Sequence, residues 1–159
     1  MAKEKVLFLC TGNSARSQMT EAFLSRYAGD RFEVYSAGME PKGINPYTLR
    51  VMQELGISLK GHRSKPLTEY MGRVDFDYLI TVCSDADERC PFFPGMGRRL
   101  HWGFEDPAAF VGSEEEILAK FRKVRDQIDE YIKRWLAEPA CQRLAAGKLE
   151  SHVHRAFRI

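Results

Sequence analysis

The first part of the chain alternates between short apolar runs and segments whose apolar residues return every three or four positions. Residues 5–10 (KVLFLC) are almost continuously apolar, which predicts a strand buried on both faces of a parallel sheet. Residues 17–28 carry apolar side chains at helical spacing, and Gly29 predicts the end of that helix. Residues 32–37 (FEVYSA) predict a second strand.

The middle of the chain repeats this alternation. Asn45 can cap a helix that has Pro46 at its first position, and Gly56 predicts the end of that helix. Residues 77–82 (DYLITV) predict another buried strand, and residues 100–102 a short one. Strands that alternate with helices predict an α/β domain built on a parallel sheet.

The last predicted element is a long amphipathic helix. Ser113 is a candidate N-cap, three glutamates follow it, and apolar residues then recur with a 3.6-residue period as far as Trp135. This pattern predicts a helix of about six turns. We expect one domain over residues 1–138, and a C-terminal extension of unknown role over residues 139–159, which is basic and carries no motif.

The bulk composition fits a single ordinary domain. A chain of 159 residues with 44% hydrophobic and 29% charged residues can bury one core. A net charge of +2 gives no argument for a nucleic-acid or membrane partner. The N-terminal apolar run is too short for a signal peptide, and no stretch approaches the length of a membrane span. We therefore expect a cytoplasmic protein, and a monomer.

The four cysteines form no C-x-x-C pair, and the histidines do not lie at zinc-finger spacings from them. In the cytoplasm thiols are kept reduced, so structural disulfides are not expected. We expect no metal site, and we interpret the cysteines as catalytic or core residues.

Residues 10–22 (CTGNSARSQMTEA) join the first predicted strand to the first predicted helix. Cys10 ends the strand at the edge where open parallel sheets bind ligands. Small side chains follow it, so the backbone amides can surround an anion. The residues of this loop are Thr11, Gly12, Asn13, Ser14 and Ala15. Arg16 adds a guanidinium suited to a tetrahedral oxyanion, and Ser17 can donate to the Cys10 sulfur. The loop amides and the Arg16 charge would favour the thiolate form of Cys10, which is the nucleophilic form. The alternative is that Cys10 is a buried residue at the end of the strand and Arg16 a solvated cation.

Residues 82–94 (VCSDADERCPFFP) carry Cys83 and Cys90 directly after a predicted strand. Across a regular helix their α-carbons would lie about 10.5 Å apart, whereas a disulfide needs roughly 7 Å or less. A Cys83–Cys90 bond therefore requires a loop, or a helix that unwinds when the bond forms. The alternative is that both cysteines are small buried hydrophobic residues.

Residues 101–110 (HWGFEDPAAF) place Asp106 before Pro107, among aromatic residues. A carboxyl group on a partly apolar loop can act as a proton donor. The alternative is a turn aspartate, because Asp-Pro is common in loops.

These three motifs resemble one family. CTGNSARSQMTEA resembles the phosphate-binding loop shared by low-molecular-weight protein tyrosine phosphatases and thioredoxin-coupled arsenate reductases. The cysteine spacing, the SDAD after Cys83 and the sequence HWGFEDPA resemble the reductases. The resemblance covers nearly all of residues 4–137 and implies a flavodoxin-like open four-stranded parallel sheet flanked by helices.

The resemblance also implies a mechanism. Cys10 attacks arsenate held by the loop amides and Arg16, while Asp106 assists loss of the leaving oxygen. Cys83 then attacks Cys10 and releases arsenite, and Cys90 attacks Cys83. The resulting disulfide is reduced by thioredoxin, with no tightly bound cofactor.

Three features depart from the family. Ala15 occupies a loop position where some relatives have another cysteine, and we expect this change to leave the oxyanion-binding loop intact. Some relatives bind potassium near Asn13 and Glu21, with a carboxylate where this chain has Lys65. We therefore expect the Lys65 ammonium to take the place of the cation. Cys141 lies beyond the resemblance, and we expect it to take no part in the relay; the alternative is that it serves as a resolving thiol.

Two other functions remain open. A phosphatase would hydrolyse phosphomonoesters through a Cys10 thiophosphate intermediate, using only Cys10, Arg16 and Asp106. An oxyanion-binding module would bind phosphate or sulfate without turnover. For a reductase, Cys83 and Cys90 favour thioredoxin as electron donor over a glutaredoxin or a small thiol.

Overall fold

The computed structural model describes residues 2–139 of the chain. It contains one sheet of four parallel strands in the order β2-β1-β3-β4. The strands are β1 Glu4–Cys10, β2 Phe32–Gly38, β3 Tyr78–Thr81 and β4 Arg98–His101. The helices are α1 Arg16–Ala28, α2 Pro46–Gln53, α3 Ser84–Arg89 and α4 Glu114–Ala137, with 3₁₀ helices at Leu67–Glu69 and Pro107–Ala109. The predicted open four-stranded parallel sheet flanked by helices is confirmed.

Strand β1 lies at the centre of the core. Val6, Leu7, Phe8 and Leu9 are completely buried, because β2 and β3 pair with β1 on either side and helices cover the sheet. The continuous apolar run predicted such a strand. Trp102 packs its ring against Phe8 at a centroid distance of 5.6 Å, which ties the end of β4 to the same core.

Two helix starts follow the predicted capping. The Asn45 side chain accepts a hydrogen bond from the Tyr47 backbone N–H at 2.9 Å. At α4, Ser113 and Glu116 form a reciprocal capping box, which satisfies two backbone N–H groups that the helix itself leaves unpaired. Within residues 2–139, no helix has the length and apolar character that a membrane crossing requires.

The strand order creates a crevice at the carboxyl edge of the sheet. The chain runs from β1 outward to β2 and then crosses back to β3, so connections leave β1 and β3 in opposite directions. Ligands in open α/β sheets bind at such a switch point. Cys10 is the last residue of β1, and Cys83 follows β3 by two residues. The topology therefore brings the first two motifs to one crevice.

Between Cys83 and Cys90 the chain forms helix α3, so the helical alternative is the one observed. Residues 140–159 lie outside the described part of the chain. Cys141 and nearly all of the predicted C-terminal extension fall within them.

Candidate active site

The loop between β1 and α1 has its carbonyl groups turned outward. Each carbonyl from Cys10 to Ser14 accepts a hydrogen bond from the surrounding structure. Given in the order of the carbonyls from Cys10 to Ser14, the donors are the backbone N–H of Met39, Glu40 and Lys42, the side-chain amide of Gln18, and the backbone N–H of Asn45. In a trans peptide the N–H points away from the C=O of the same unit, and residues 2–139 contain no cis peptide. The amides of residues 11–15 therefore point into the loop, where an anion would sit.

Cys10 lies at the floor of this loop with only 2% of its surface exposed. Its Sγ accepts a hydrogen bond from the Asn13 backbone N–H at 3.1 Å and lies 2.8 Å from Ser17 Oγ. Ser17 Oγ already accepts from Asn13 Nδ2 at 2.7 Å, so its hydroxyl proton is available to the sulfur. Two donors directed at one sulfur stabilise a thiolate.

Asn13 stabilises the conformation of the loop through its backbone angle and its buried side chain. Its φ of 48° lies in the left-handed region, which asparagine tolerates better than most residues. The completely buried side chain donates to Ser17 and to Ser36 Oγ at 3.0 Å, and Oδ1 accepts from the Lys65 backbone N–H at 3.0 Å. The sequence predicts Asn13 only as a source of one amide. Its preference for left-handed turns is the signal that marks a larger role.

Lys65 places a buried ammonium beside this asparagine. Nζ lies 3.4 Å from Asn13 Oδ1 and 3.3 Å from Ser36 Oγ, and it donates to the Arg63 carbonyl at 2.8 Å. Burial lowers the pKa of Lys65, and the negative charge of Glu21 opposes that shift. The ammonium thus occupies the neighbourhood of Asn13, as expected from the sequence. Among residues 2–139, no three His, Cys, Asp or Glu side chains cluster in a way that would hold a metal ion.

Arg16 joins the loop to the predicted acid. Its Nη1 donates to the Phe104 carbonyl at 3.1 Å, and its Nη2 lies 3.6 Å from Asp106 Oδ2. Glu105, the neighbouring carboxylate, instead pairs with Lys120 Nζ at 2.7 Å. Of the two acids, it is Asp106 that faces the guanidinium at the loop.

Thr11 connects the loop to the second motif. Its Oγ1 lies 3.4 Å from Cys83 Sγ and donates to Asp85 Oδ2 at 2.8 Å. This bond to the Thr11 hydroxyl lowers the pKa of Asp85. Cys90 lies at the opposite end of α3, and burial raises the pKa of its thiol. The structure therefore brings Cys10, Arg16, Cys83 and Asp106 to one edge of the sheet and leaves Cys90 one short helix away.

The chain is similar to known proteins over most of its length. Residues 5–146 match the family described as low molecular weight phosphotyrosine protein phosphatase. The chain belongs to this family.

The relatives to which this chain is similar include arsenate reductases. The chain is 45% identical over 135 residues to an arsenate reductase of Bacillus licheniformis, and 44% identical over 136 residues to one of Shouchella clausii. Each match covers 85% of this chain and 96% of the relative. A solved arsenate reductase in a phosphate-binding state superposes with a TM-score of 0.71 at 30% identity, covering 84% of this chain and 97% of that one.

Gly38, at the end of β2, is a residue of this phosphatase-family site that the motifs do not include. A Cβ added there would lie 2.7 Å from the Thr11 carbonyl oxygen and 2.9 Å from the Asn13 backbone nitrogen. Gly38→Ala is therefore expected to displace the loop and lower kcat/KM for the oxyanion substrate about 100-fold, the effect of a misplacement near 1 Å. Steady-state kinetics with arsenate measure this.

Gly61→Ala is the matched control for Gly38→Ala. Gly61 has a φ of +87°, and nothing lies within 4 Å of an added Cβ. Its substitution is expected to cost about 1 kcal/mol of stability through backbone strain, with kcat/KM unchanged. Equal kcat/KM losses in the two variants would show that stability, and not loop position, explains the Gly38 effect.

Proposed function

We propose that this chain reduces arsenate to arsenite through a thiol relay of Cys10, Cys83 and Cys90, and that thioredoxin returns the relay to its reduced state. The observation that carries the proposal is the position of Cys83. Its sulfur lies 3.4 Å from the hydroxyl of Thr11, a residue of the oxyanion loop, and a second thiol follows at the end of α3. Hydrolysis of a phosphate ester has no use for either thiol. The similarity to named arsenate reductases supports the same choice.

The first step forms a covalent adduct. Arsenate enters the loop, where the inward amides and the Arg16 guanidinium balance its negative charge. The Cys10 thiolate attacks arsenic, and one arsenate oxygen leaves as water. Asp106 protonates that oxygen; its carboxylate lies 3.6 Å from Arg16 Nη2, which supports this role. Ser17 holds the Cys10 sulfur at 2.8 Å.

The second step transfers two electrons. The Cys83 thiolate attacks Cys10 Sγ, so an S–S bond forms and the S–As bond breaks. The electron pair of that bond stays with arsenic, which leaves as arsenite in the +3 state. Cys10 and Cys83 are together oxidised to one disulfide. Cys90 then attacks Cys83, and Cys10 is released as a thiolate.

The third step takes the oxidising equivalent to a partner. Formation of the Cys83–Cys90 disulfide passes the oxidising equivalent from Cys10 in the oxyanion loop to Cys90 at the far end of α3, and the segment after Cys90 exposes the Phe92 ring. A dithiol protein of the thioredoxin type can attack this disulfide, form a mixed disulfide and release both cysteines reduced. We propose thioredoxin as that donor, with no bound metal or organic cofactor.

The decisive experiment follows arsenate-dependent NADPH oxidation in the presence of thioredoxin and thioredoxin reductase. The wild type is expected to turn over continuously. Cys90→Ser is expected to release one arsenite per enzyme and then stop with a Cys10–Cys83 disulfide, because the final exchange has lost its nucleophile. Mass spectrometry of the alkylated protein identifies the trapped bond.

Cys141→Ser is the matched control and is expected to turn over at the wild-type rate, since the relay uses the other three cysteines. Continuous turnover by Cys90→Ser would contradict the assignment of Cys90. Absence of turnover in every variant, together with hydrolysis of an aryl phosphate, would establish the phosphatase alternative. Turnover with glutathione and glutaredoxin in place of thioredoxin would identify a different donor.

A further inference from the structure

Arg99, on β4, forms hydrogen bonds with the C-terminal end of helix α3. Its Nη1 donates to the Cys90 carbonyl at 3.0 Å, and its Nη2 donates to the Asp87 carbonyl. The guanidinium also lies over the Phe92 ring, with its Cζ 4.9 Å from the ring centroid. The Arg99 side chain therefore contacts two backbone carbonyls at the end of α3 and the Phe92 ring in the segment that follows the helix.

The same guanidinium is fixed to the sheet from the other side. Its Nη2 lies 3.6 Å from the Asp87 carboxylate, and Asp87 Oδ1 accepts from Thr81 Oγ1 on β3 at 3.0 Å. His101 Nδ1, also on β4, lies 2.7 Å from Thr81 Oγ1 and 3.8 Å from Asp87 Oδ1. Arg99 is thus a rigid support on β4 and not a mobile surface cation.

Helix α3 depends on such supports. It has six residues, and helices this short are unstable by themselves in water. Its last carbonyls have no partner within the helix. At the other end, Cys83 Sγ accepts from the Ala86 backbone N–H at 3.4 Å, and Thr11 donates to Asp85. Arg99 provides the corresponding bonds at the C-terminal end.

Formation of a Cys83–Cys90 disulfide must break the Arg99 bonds. With α3 formed, the two cysteines lie about 10.5 Å apart along the helix axis, and a disulfide requires their α-carbons within roughly 7 Å. The segment must unwind and shorten, which moves the Asp87 and Cys90 carbonyls relative to the fixed guanidinium. The bonds to Arg99 therefore stabilise the dithiol form and not the disulfide form.

We propose that Arg99 is a positioning residue that holds α3 folded in the dithiol state and thereby sets how readily Cys90 reaches Cys83. This inference rests on the proposed thiol relay. In the step concerned, the Cys90 thiolate attacks Cys83 Sγ of the Cys10–Cys83 disulfide after giving its proton to water. The Cys83–Cys90 bond forms, the Cys10–Cys83 bond breaks, and Cys10 leaves as a thiolate, with no net oxidation. Release of Arg99 from α3 precedes this attack.

The test measures the reduction potential of the Cys83–Cys90 disulfide in the full chain carrying Cys10→Ser and Cys141→Ser, so that only these two thiols remain. The protein is equilibrated at pH 7 in dithiothreitol redox buffers, and the two forms are counted by alkylation and mass spectrometry. Arg99→Met is compared with Arg98→Met, the exposed neighbour on the same strand. Burial raises the pKa of Cys90 and the positive charge of Arg99 opposes that rise, so loss of Arg99 does not favour ionisation of the Cys90 thiol.

In Arg99→Met the disulfide is expected to be about tenfold more stable relative to the dithiol, which corresponds to a potential about 30 mV more negative. Arg98→Met is expected to keep the parent value. The melting temperature of the dithiol form should fall in Arg99→Met while that of the disulfide form stays unchanged. An unchanged potential, with both forms destabilised equally, would overturn the proposal and leave Arg99 a purely structural residue.

If Arg99→Met does not fold, Arg99→Lys replaces it, because lysine keeps the charge and loses the two-pronged donor. Its potential should shift in the same direction, and a parent value in this variant would also overturn the proposal. The measurement uses neither arsenate nor thioredoxin. A wrong assignment of the overall reaction would therefore leave its outcome unchanged, and the two ideas fail separately.

Discussion

Replacing Cys10 by serine is expected to abolish arsenate reduction, with a loss of roughly a million-fold, as for removal of other covalent nucleophiles. A serine hydroxyl is not ionised at neutral pH and cannot enter a disulfide, so both the adduct and the electron transfer are lost. Arsenite formation in a single-turnover assay measures the effect. Binding should survive, because the inward amides and Arg16 remain in place.

Inorganic phosphate is the probe for that binding in Cys10→Ser. Isothermal titration is expected to show phosphate binding about as tight as in the wild type, since the inward amides and Arg16 still hold the anion. Cys83→Ser is the companion variant. It should form the Cys10 adduct but not release arsenite.

In Cys10→Ser, loss of phosphate binding together with loss of activity would mean that Cys10 shapes the loop and is not the nucleophile.

Asp106→Asn is expected to lower kcat for arsenate about a thousandfold with little change in KM, within the range found for general acids. The amide has the shape of the carboxyl group but does not donate the proton that the leaving oxygen needs. Asparagine can still accept the bond that Asp106 Oδ1 receives from the Ala108 backbone N–H at 2.9 Å, so the loop keeps its conformation. Steady-state kinetics in the thioredoxin-coupled assay separate kcat from KM.

Glu105→Gln is the matched control for the acid. Glu105 pairs with Lys120 and does not face Arg16, and exposed ion pairs contribute little to stability. This variant should therefore keep its kcat. A thousandfold loss in Glu105→Gln with normal activity in Asp106→Asn would reverse the assignment of the proton donor.

The sequence predicts the sheet well because local patterns determine its elements. The run at residues 5–10 has too few polar side chains for any position but the centre of a sheet. Helix α4 is equally clear, since Ser113 and Glu116 define its start and the 3.6-residue period continues for many turns. The α3 segment offers only six residues, which is too short for periodicity to decide. Its helix depends on contacts from Thr11 and Arg99, which are distant in the chain.

In the candidate site, too, the sequence predicts a contiguous motif but does not predict contacts between distant segments. Cys10 and Arg16 lie in one contiguous motif, so the sequence can indicate their common purpose. The structure also brings Cys83 and Asp106 to the same edge as that motif. Lys65 is expected beside Asn13 only from the family resemblance. No local pattern predicts that Ser36 joins them, or that Gly38 must lack a side chain for the loop to fit. These contacts arise from how separate segments pack, and packing between distant segments leaves no local pattern.

The outward carbonyls of the oxyanion loop have a consequence for selectivity. Every carbonyl from Cys10 to Ser14 is already bonded to the surrounding structure, so the cavity is preorganised for one tetrahedral shape. Phosphate and arsenate have the same shape and charge, so phosphate competes for the empty site and a rigid cavity discriminates poorly between them. Discrimination must then come after binding. Arsenic(V) bound to sulfur accepts two electrons from a neighbouring thiol, whereas phosphorus(V) does not. In the proposed relay the choice of substrate is therefore kinetic and is expected to depend on Cys83.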